Sequence, residues 1–505
     1  MPTQRLNKVL IVGGGTAGWM AASIFLRTLG KGYQIQLIES DDIGTVGVGE
    51  ATIPSIRNFN LMCGIDEDAF MRETQATFKL GIQFNGWGEE GESYIHGFGV
   101  VGRDTGLVDF HHYWVKQRQL GLAGPLDDYA ISVRACAQNK FSRPTDADKA
   151  AQPLLGQLAH AFHFDAGLFA RFLRQRAEAL GVVRTEGKIG SVQSDPASGF
   201  VQSVTLEDGS VHAADFFIDC SGFRGLLIEQ TLHTGYDDWS EWLPCDSALA
   251  VPCESVRPLL PYTRATARQA GWQWRIPLQS RIGNGHVYCS QYLSQDEATA
   301  TLLKNLDGPA LAEPRLIRFV TGKRKKFWNK NVVAIGLASG FLEPLESTSI
   351  HLIQSALLRL ARFMPDRNFD EANADEFNRQ SATEFEQIRD FIILHYHANR
   401  RQGSAFWQRC REMSVPQSLQ HKLALFRANG RIFRHNNELF GEGGWLQVMV
   451  GQGVMPRGYD PLVDNTAEDA ITAMVTNLKA VVTEAVRRMP GHEDYIAKHC
   501  KAPPR

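Results

Sequence analysis

The sequence predicts an α/β fold built from a Rossmann-type βαβ unit, a sheet-rich insert and a helical C-terminal part. Three observations carry this. The apolar run Lys8-Val9-Leu10-Ile11-Val12 leads straight into Gly13-Gly14-Gly15-Thr16-Ala17-Gly18. Short β-prone runs separated by turn residues fill the middle of the chain. From about residue 350, apolar residues recur at three- and four-residue spacing, the period of a helix. The expected division is 1–365 for the body with its insert and 366–505 for the helical part.

Residues 8–12 suit a buried parallel strand, followed by a helix to about Leu29. Residues 33–38 make a second strand ending at Glu39, which completes the βαβ unit. Residues 216–222 are a third strand-like run. Residues 331–336 are a fourth, leading into Leu337-Ala338-Ser339-Gly340. The stretch 271–292 reads as antiparallel strand around a turn at Gly283-Asn284-Gly285. Helices are expected at 350–364, 375–396, 416–428 and 467–488, with acidic starts such as Thr466-Ala467-Glu468-Asp469.

At 505 residues, 43% hydrophobic and 21% charged, the chain has material for two or three domains or one composite fold. The net charge of −2 implies no general attraction to nucleic acid or to an anionic membrane. The basic run Lys323-Arg324-Lys325-Lys326 reads as a solvated turn before a strand at 331–335. Eight cysteines are scattered without CxxC or Cys/His metal spacing, so no metal is expected and the thiols read as reduced, in a cytoplasmic protein. A strand begins by Lys8, which argues against a signal peptide, and no run of 18 residues is apolar. A monomer or homodimer is expected.

The glycine fingerprint lies between a strand and a helix, the context that gives it meaning. Gly13 permits the tight turn, Gly15 lets backbone approach a pyrophosphate, and Gly18 lets helix and strand pack closely. Thr16 and Ala17 open the helix whose N-terminus faces the phosphates. Glu39 stands where an acid accepts from a ribose hydroxyl and disfavours a 2′-phosphate. The chain carries one such fingerprint, so it has no second one for NAD(P)H. The run ending at Gly336 resembles the second flavin-contacting segment of two-domain flavoproteins, which favours FAD over NAD.

Trp272-Gln273-Trp274-Arg275-Ile276-Pro277 places two indoles on one face of a short strand that proline then ends. Alone, such a pair is core. With the fingerprint, it resembles the WxWxIP motif of flavin-dependent halogenases. Gly47-Val48-Gly49-Glu50-Ala51-Thr52-Ile53-Pro54 is similar to that family's GxGExTxP segment beside FAD. Lys79, within Thr77-Phe78-Lys79-Leu80-Gly81, matches the motif of its catalytic lysine. Phe223-Arg224-Gly225-Leu226-Leu227 fits a further segment. The stretch 334–348 resembles the one that contacts flavin, halide and substrate. These matches run from residue 9 to about 460.

The resemblance implies a single-component-monooxygenase-like FAD-binding fold in which reduced FAD and oxygen oxidise chloride or bromide to hypohalous acid. It assigns Glu50, Ala51, Leu337 and Ile350 to the cofactor, beside the fingerprint residues. Thr348 and Ser349 would hold the halide among backbone amides. Tryptophan halogenases have glycine at the second position, so Ser349 either reshapes that pocket or points away. Lys79 would capture or orient the oxidant. Glu346 would stabilise the cationic ring intermediate and take its proton. Glu343 reads as structural. Trp272 and Trp274 would wall organic substrate off from the flavin. A separate NAD(P)H-dependent reductase would supply FADH2.

Tryptophan halogenases carry a Phe-Trp pair, with a glutamate and tyrosines upstream, that grip the amino acid. Here Leu439-Phe440 takes the pair's place, the glutamate's place falls near His435, and no tyrosine pair precedes it. His96-Gly97-Phe98 resembles the other wall of the pocket. The expected substrate is therefore an electron-rich aromatic of the indole type. The competing readings are a halogenase for free tryptophan, a flavin monooxygenase or reductase on the same scaffold, and a non-catalytic flavin-binding protein.

Overall fold

Strand Lys8–Val12 lies inside a six-stranded sheet ordered Trp328–Asn329, Val332–Ala334, Phe216–Asp219, Lys8–Val12, Gln34–Glu39, Val183–Glu186. The computed structural model describes residues 5–30, 32–43, 49–104, 106–151 and 153–504. All neighbours in this sheet are parallel except the first pair. The predicted α/β architecture is present, and its parallel strands are the apolar runs read from the sequence. Alternate residues serve opposite faces. Leu10 and Val12 join Phe217, Val332 and Ala334 in a core with Val204 and Leu206 of a three-stranded antiparallel sheet, while Val9 and Ile11 are equally buried on the other face.

The chain forms two compact units, each drawn from three stretches of the sequence. The first comprises Met1–Ala76, Phe164–Pro244 and Arg318–Glu386, and contains this sheet. The second comprises Thr77–His163, Cys245–Ile317 and Gln387–Arg505. Its main sheet runs Ser247–Glu254, Arg281–Tyr288, Gly271–Pro277, Thr263–Arg268, Gly81–Asn85, Ser93–Gly97. The Trp272/Trp274 strand is thus central, between two antiparallel partners. The predicted helices appear as Ser349–Arg362, Glu371–His397, Gln417–Asn429 and Glu468–Arg488. No helix among the described residues is long and apolar enough to cross a membrane.

Two local expectations are corrected. Gly283-Asn284-Gly285 is not a turn: strand Arg281–Tyr288 runs through it, paired on both sides. The hairpin turns instead at 278–280. Gly285 is there to make room, since a Cβ would lie 2.1 Å from the Trp274 ring. The basic run is not all solvated either. Lys323 and Arg324 are buried in strand Gly322–Arg324, where Asp237 and Glu229 neutralise them, and only Lys325 and Lys326 are exposed. Opposing carboxylates make burial of these cations tolerable.

Candidate active site: a nucleotide cradle, an anion nest and a buried lysine

The first unit carries the cofactor and halide residues. Gly13 sits at φ +106°, and a Cβ there would lie 2.3 Å from the Cys220 carbonyl oxygen, so glycine is required. A Cβ on Gly18 would lie 1.9 Å from the Gly13 carbonyl oxygen, which is the close helix–strand packing expected of the third glycine. At Gly15 the added Cβ would meet nothing within 4 Å. Gly15 is also the N-cap of helix Thr16–Thr28, and no side chain caps that helix. Open space above uncapped amides at Thr16 and Ala17 fits a diphosphate.

The segment at Gly336 and the side chain of Glu39 lie against this cradle. Gly336, beside Leu337, comes close enough to Ala17 that a Cβ would stand 2.9 Å from the alanine methyl. Ala51 is buried on strand Gly49–Ala51, and burial pushes the neighbouring Glu50 carboxyl up to about 7. Gly47 and Val48 lie outside the described residues. Glu39 ends its strand as expected, but its carboxylate lies over Gly14 and is paired with Arg184 at 2.6 Å and Arg174 at 3.4 Å. Helix Ser349–Arg362 is braced to the segment after Pro54: His351 meets Ser55 at 3.0 Å and Glu384 at 2.9 Å, and Gln354 donates to the Ser55 carbonyl.

That helix begins at the predicted halide residues. Ser347 adopts the left-handed conformation at φ +60°, a strained position for a non-glycine residue. It turns the chain so that Thr348 becomes the N-cap of the 14-residue helix, with no side-chain cap. Thr348 is fully buried and its hydroxyl has no hydrogen-bond partner among the described residues. A donor without a partner beside a helix N-terminus is suited to a small anion. Ser349 is half-buried and Ile350 buried in the first turn. Glu346 ends the 3-10 turn Pro344–Glu346 and is 1% exposed.

The second unit carries the lysine, the tryptophans and the residues expected beside the substrate. Lys79 is fully buried at the end of strand Thr77–Lys79, with its ammonium 5.1 Å from the centre of the Phe98 ring. That cation–π contact partly offsets its desolvation. Phe98 reaches it because its amide donates to the Leu80 carbonyl, next to Lys79. Trp272 and Trp274 share a face with ring centres 6.1 Å apart, and both are buried.

The residues expected beside the substrate lie in one aromatic group. His96 lies 6.2 Å from Phe440, and Phe440 stacks on Phe391 at 3.9 Å. Trp445 meets Phe391 edge-on at 4.8 Å. Leu439 is half-buried beside them. Gln447 grips both backbone atoms of Gly97, fixing the His96–Phe98 segment. The sequence did not single out Phe391, Trp445 or Gln447. Phe391 is one of many apolar positions on a long helix, and nothing separates it from core before the fold is known. The loop between Gly430 and Gly441 also hides an ion pair: Glu438 accepts from Lys422 at 3.0 Å, and Lys422 covers the Trp445 ring at 4.9 Å.

One cluster has the composition of a metal site. Asp109, His111 and His112 bring ligand atoms within 4.8 Å of one another. The hydrogen bonds argue against metal. The Asp460 amide donates to His112 Nδ1, which puts that ring's proton on Nε2 and leaves no lone pair for an ion.

A family model for tryptophan halogenases matches residues 8–468. Tryptophan 7-halogenase RebH of Lentzea aerocolonigenes is 37% identical over 494 residues, 90% of this chain and 91% of that one. A solved flavin-dependent halogenase from Xanthomonas campestris aligns with a TM-score of 0.96 at 48% identity, covering 99% of this chain and 100% of the other. The chain belongs to the tryptophan halogenase family. The flavin-dependent halogenase BrvH from Brevundimonas sp. BAL3 is similar too, with a TM-score of 0.94, 46% identity and coverage of 99% and 100%. This halogenase is therefore a flavin-dependent enzyme whose co-substrates are oxygen and a halide. It depends on a separate reductase for FADH2 and acts on an aromatic substrate.

Proposed function

We propose that this halogenase acts on an electron-rich ring of the indole type and not on free tryptophan. The observation that carries the proposal is Glu438. It is the buried acid of the pocket loop, and both Lys422 Nζ and the His435 amide donate to its Oε2, at 3.0 and 3.1 Å. A carboxylate satisfied in this way is poorly placed to hold a substrate ammonium as well. The Phe391–Phe440 stack and Trp445 offer apolar walls that suit a ring without a charged head group.

Bound FADH2 supplies the reducing equivalents with which oxygen converts a halide to hypohalous acid. We assign the fingerprint residues, Glu39, Glu50, Ala51, Leu337 and Ile350 to holding the cofactor. Thr348 and Ser349 bind the halide, the hydroxyl of Thr348 donating to it. Trp272 and Trp274 exclude organic substrate from the flavin, which favours halogenation over ring oxygenation. Lys79 Nζ receives and orients the oxidant. Glu346 accepts the ring proton after the halogen has added. The helical part, 366–505, supplies Phe391, Leu439, Phe440 and Trp445 and covers the substrate. We further place the enzyme in the cytoplasm, consistent with its eight free cysteines, as a monomer or homodimer.

Steady-state kinetics with a reductase, NADH and bromide test the substrate assignment. The kcat/KM for indole is expected to exceed that for tryptophan by about ten-fold or more, the scale on which an unmatched polar head group is rejected. Equal or better turnover of tryptophan contradicts it.

A further inference from the structure

We infer that Thr77 and His163 are positioning residues for Lys79, fixing its strand through a hydrogen-bond chain anchored on the Pro277 carbonyl. Thr77 lies two residues before Lys79 on the same strand, so the two side chains share a face. Both are fully buried. Thr77 Oγ1 lies 2.7 Å from the Pro277 carbonyl oxygen. A carbonyl can only accept, so the threonine must donate. His163 Nδ1 lies 2.9 Å from the same Oγ1 and must therefore carry its own proton and donate to it. That leaves Nε2 as an acceptor, and Thr263 Oγ1 stands 3.0 Å away to donate. One proton arrangement satisfies every group, with His163 neutral.

The environment agrees with that arrangement. Burial holds His163 well below the usual histidine range, and the charge of Lys79 acts in the same direction. A neutral imidazole avoids setting a second cation beside the ammonium. The backbone adds to the hold, since Thr77 pairs with His163 and Lys79 with Ala161 across two antiparallel strands. The chain thus ties the lysine strand to strands Ala161–Asp165, Thr263–Arg268 and Gly271–Pro277. The last carries the two tryptophans. Its terminal proline thereby acquires a second task, anchoring the residue that aims the lysine.

This inference rests on Lys79 as the holder of the oxidant. If its strand loosens, hypohalous acid is still made but is lost to solution. The test measures halogenated indole and free hypohalous acid per FADH2 consumed, the latter with a β-diketone trap. Thr77→Val keeps the shape and removes the hydroxyl, whereas Thr77→Ser keeps the hydroxyl. The product-to-trap ratio is expected to fall about ten-fold or more in Thr77→Val, with flavin reoxidation unchanged. Thr77→Ser should stay within about two-fold of the parent. A purely structural role lowers product and trap together, and that result overturns the inference, as does an unchanged ratio in folded Thr77→Val. Should Thr77→Val not fold, Thr263→Val applies the test from the far end of the chain, and an unchanged ratio there overturns it equally. Failure of the underlying reading shows separately, as a Lys79→Ala enzyme that keeps the parent's ratio.

Discussion

Replacing Lys79 by alanine is expected to lower halogenated product by about 10³-fold or more while FADH2 is still reoxidised, the scale set by loss of a positioned reactant. An ammonium withdrawn from water is costly, so a fully buried lysine is rare and held firmly by its surroundings. Lys79 is 0% exposed and faces the Phe98 ring. Phe98 in turn adjoins His96 and Gly97, which Gln447 holds to the helix bearing Trp445. The lysine therefore lies within the part of the second unit that also carries the Phe391, Phe440 and Trp445 rings. Lys79→Met keeps most of the side-chain volume and removes the charge, so it separates chemistry from packing. Both variants should show the same loss by mass spectrometry of product, with flavin oxidation followed by absorbance. Product formation near the parental rate in either folded variant contradicts the assigned role.

Glu346→Gln carries the second large effect. It should reduce kcat by about 10²-fold or more, in the range for loss of a positioned proton acceptor. The residue ends a 3-10 turn that begins at Pro344, and Ser347 follows in a left-handed conformation. Both features restrict the backbone, so the carboxylate is held in place before substrate arrives. Glutamine keeps the size and loses the negative charge and the proton-accepting oxygen. Trapped hypohalous acid should remain near the parental level, because halide oxidation precedes this step. A fall in trapped oxidant equal to the fall in product would move Glu346 to an earlier role.

The nucleotide-binding half was legible because its signals are local. A five-residue apolar strand, a glycine turn and a buried helix are contiguous in sequence, and Gly13 and Gly18 each answer a contact within the same unit. The middle of the chain was less so. Gly283-Asn284-Gly285 has the composition of a turn, yet the glycine serves the Trp274 indole, a constraint set by a neighbouring strand. The basic run at 323–326 looked solvated because its counter-charges, Asp237 and Glu229, are about ninety residues away in sequence. Lys79 and Glu346 stand out only by family resemblance, since an isolated lysine or glutamate has no signature of its own. The Lys422–Glu438 pair and the Phe391–Trp445 contact were not found, because helical spacing marks a buried face without saying what it faces. Ligand specificity depends on such long-range pairs.

In this enzyme oxidation is directed to a halide and then to an aromatic carbon. The measurement that tests it is the mass of the product formed from indole by purified protein with FAD, a flavin reductase, NADH, air and bromide. The expected product has one hydrogen replaced by bromine, shown by the paired isotope pattern, and does not form when bromide is omitted. Indole gaining a single oxygen regardless of bromide, or no product from folded, flavin-binding protein, would contradict it.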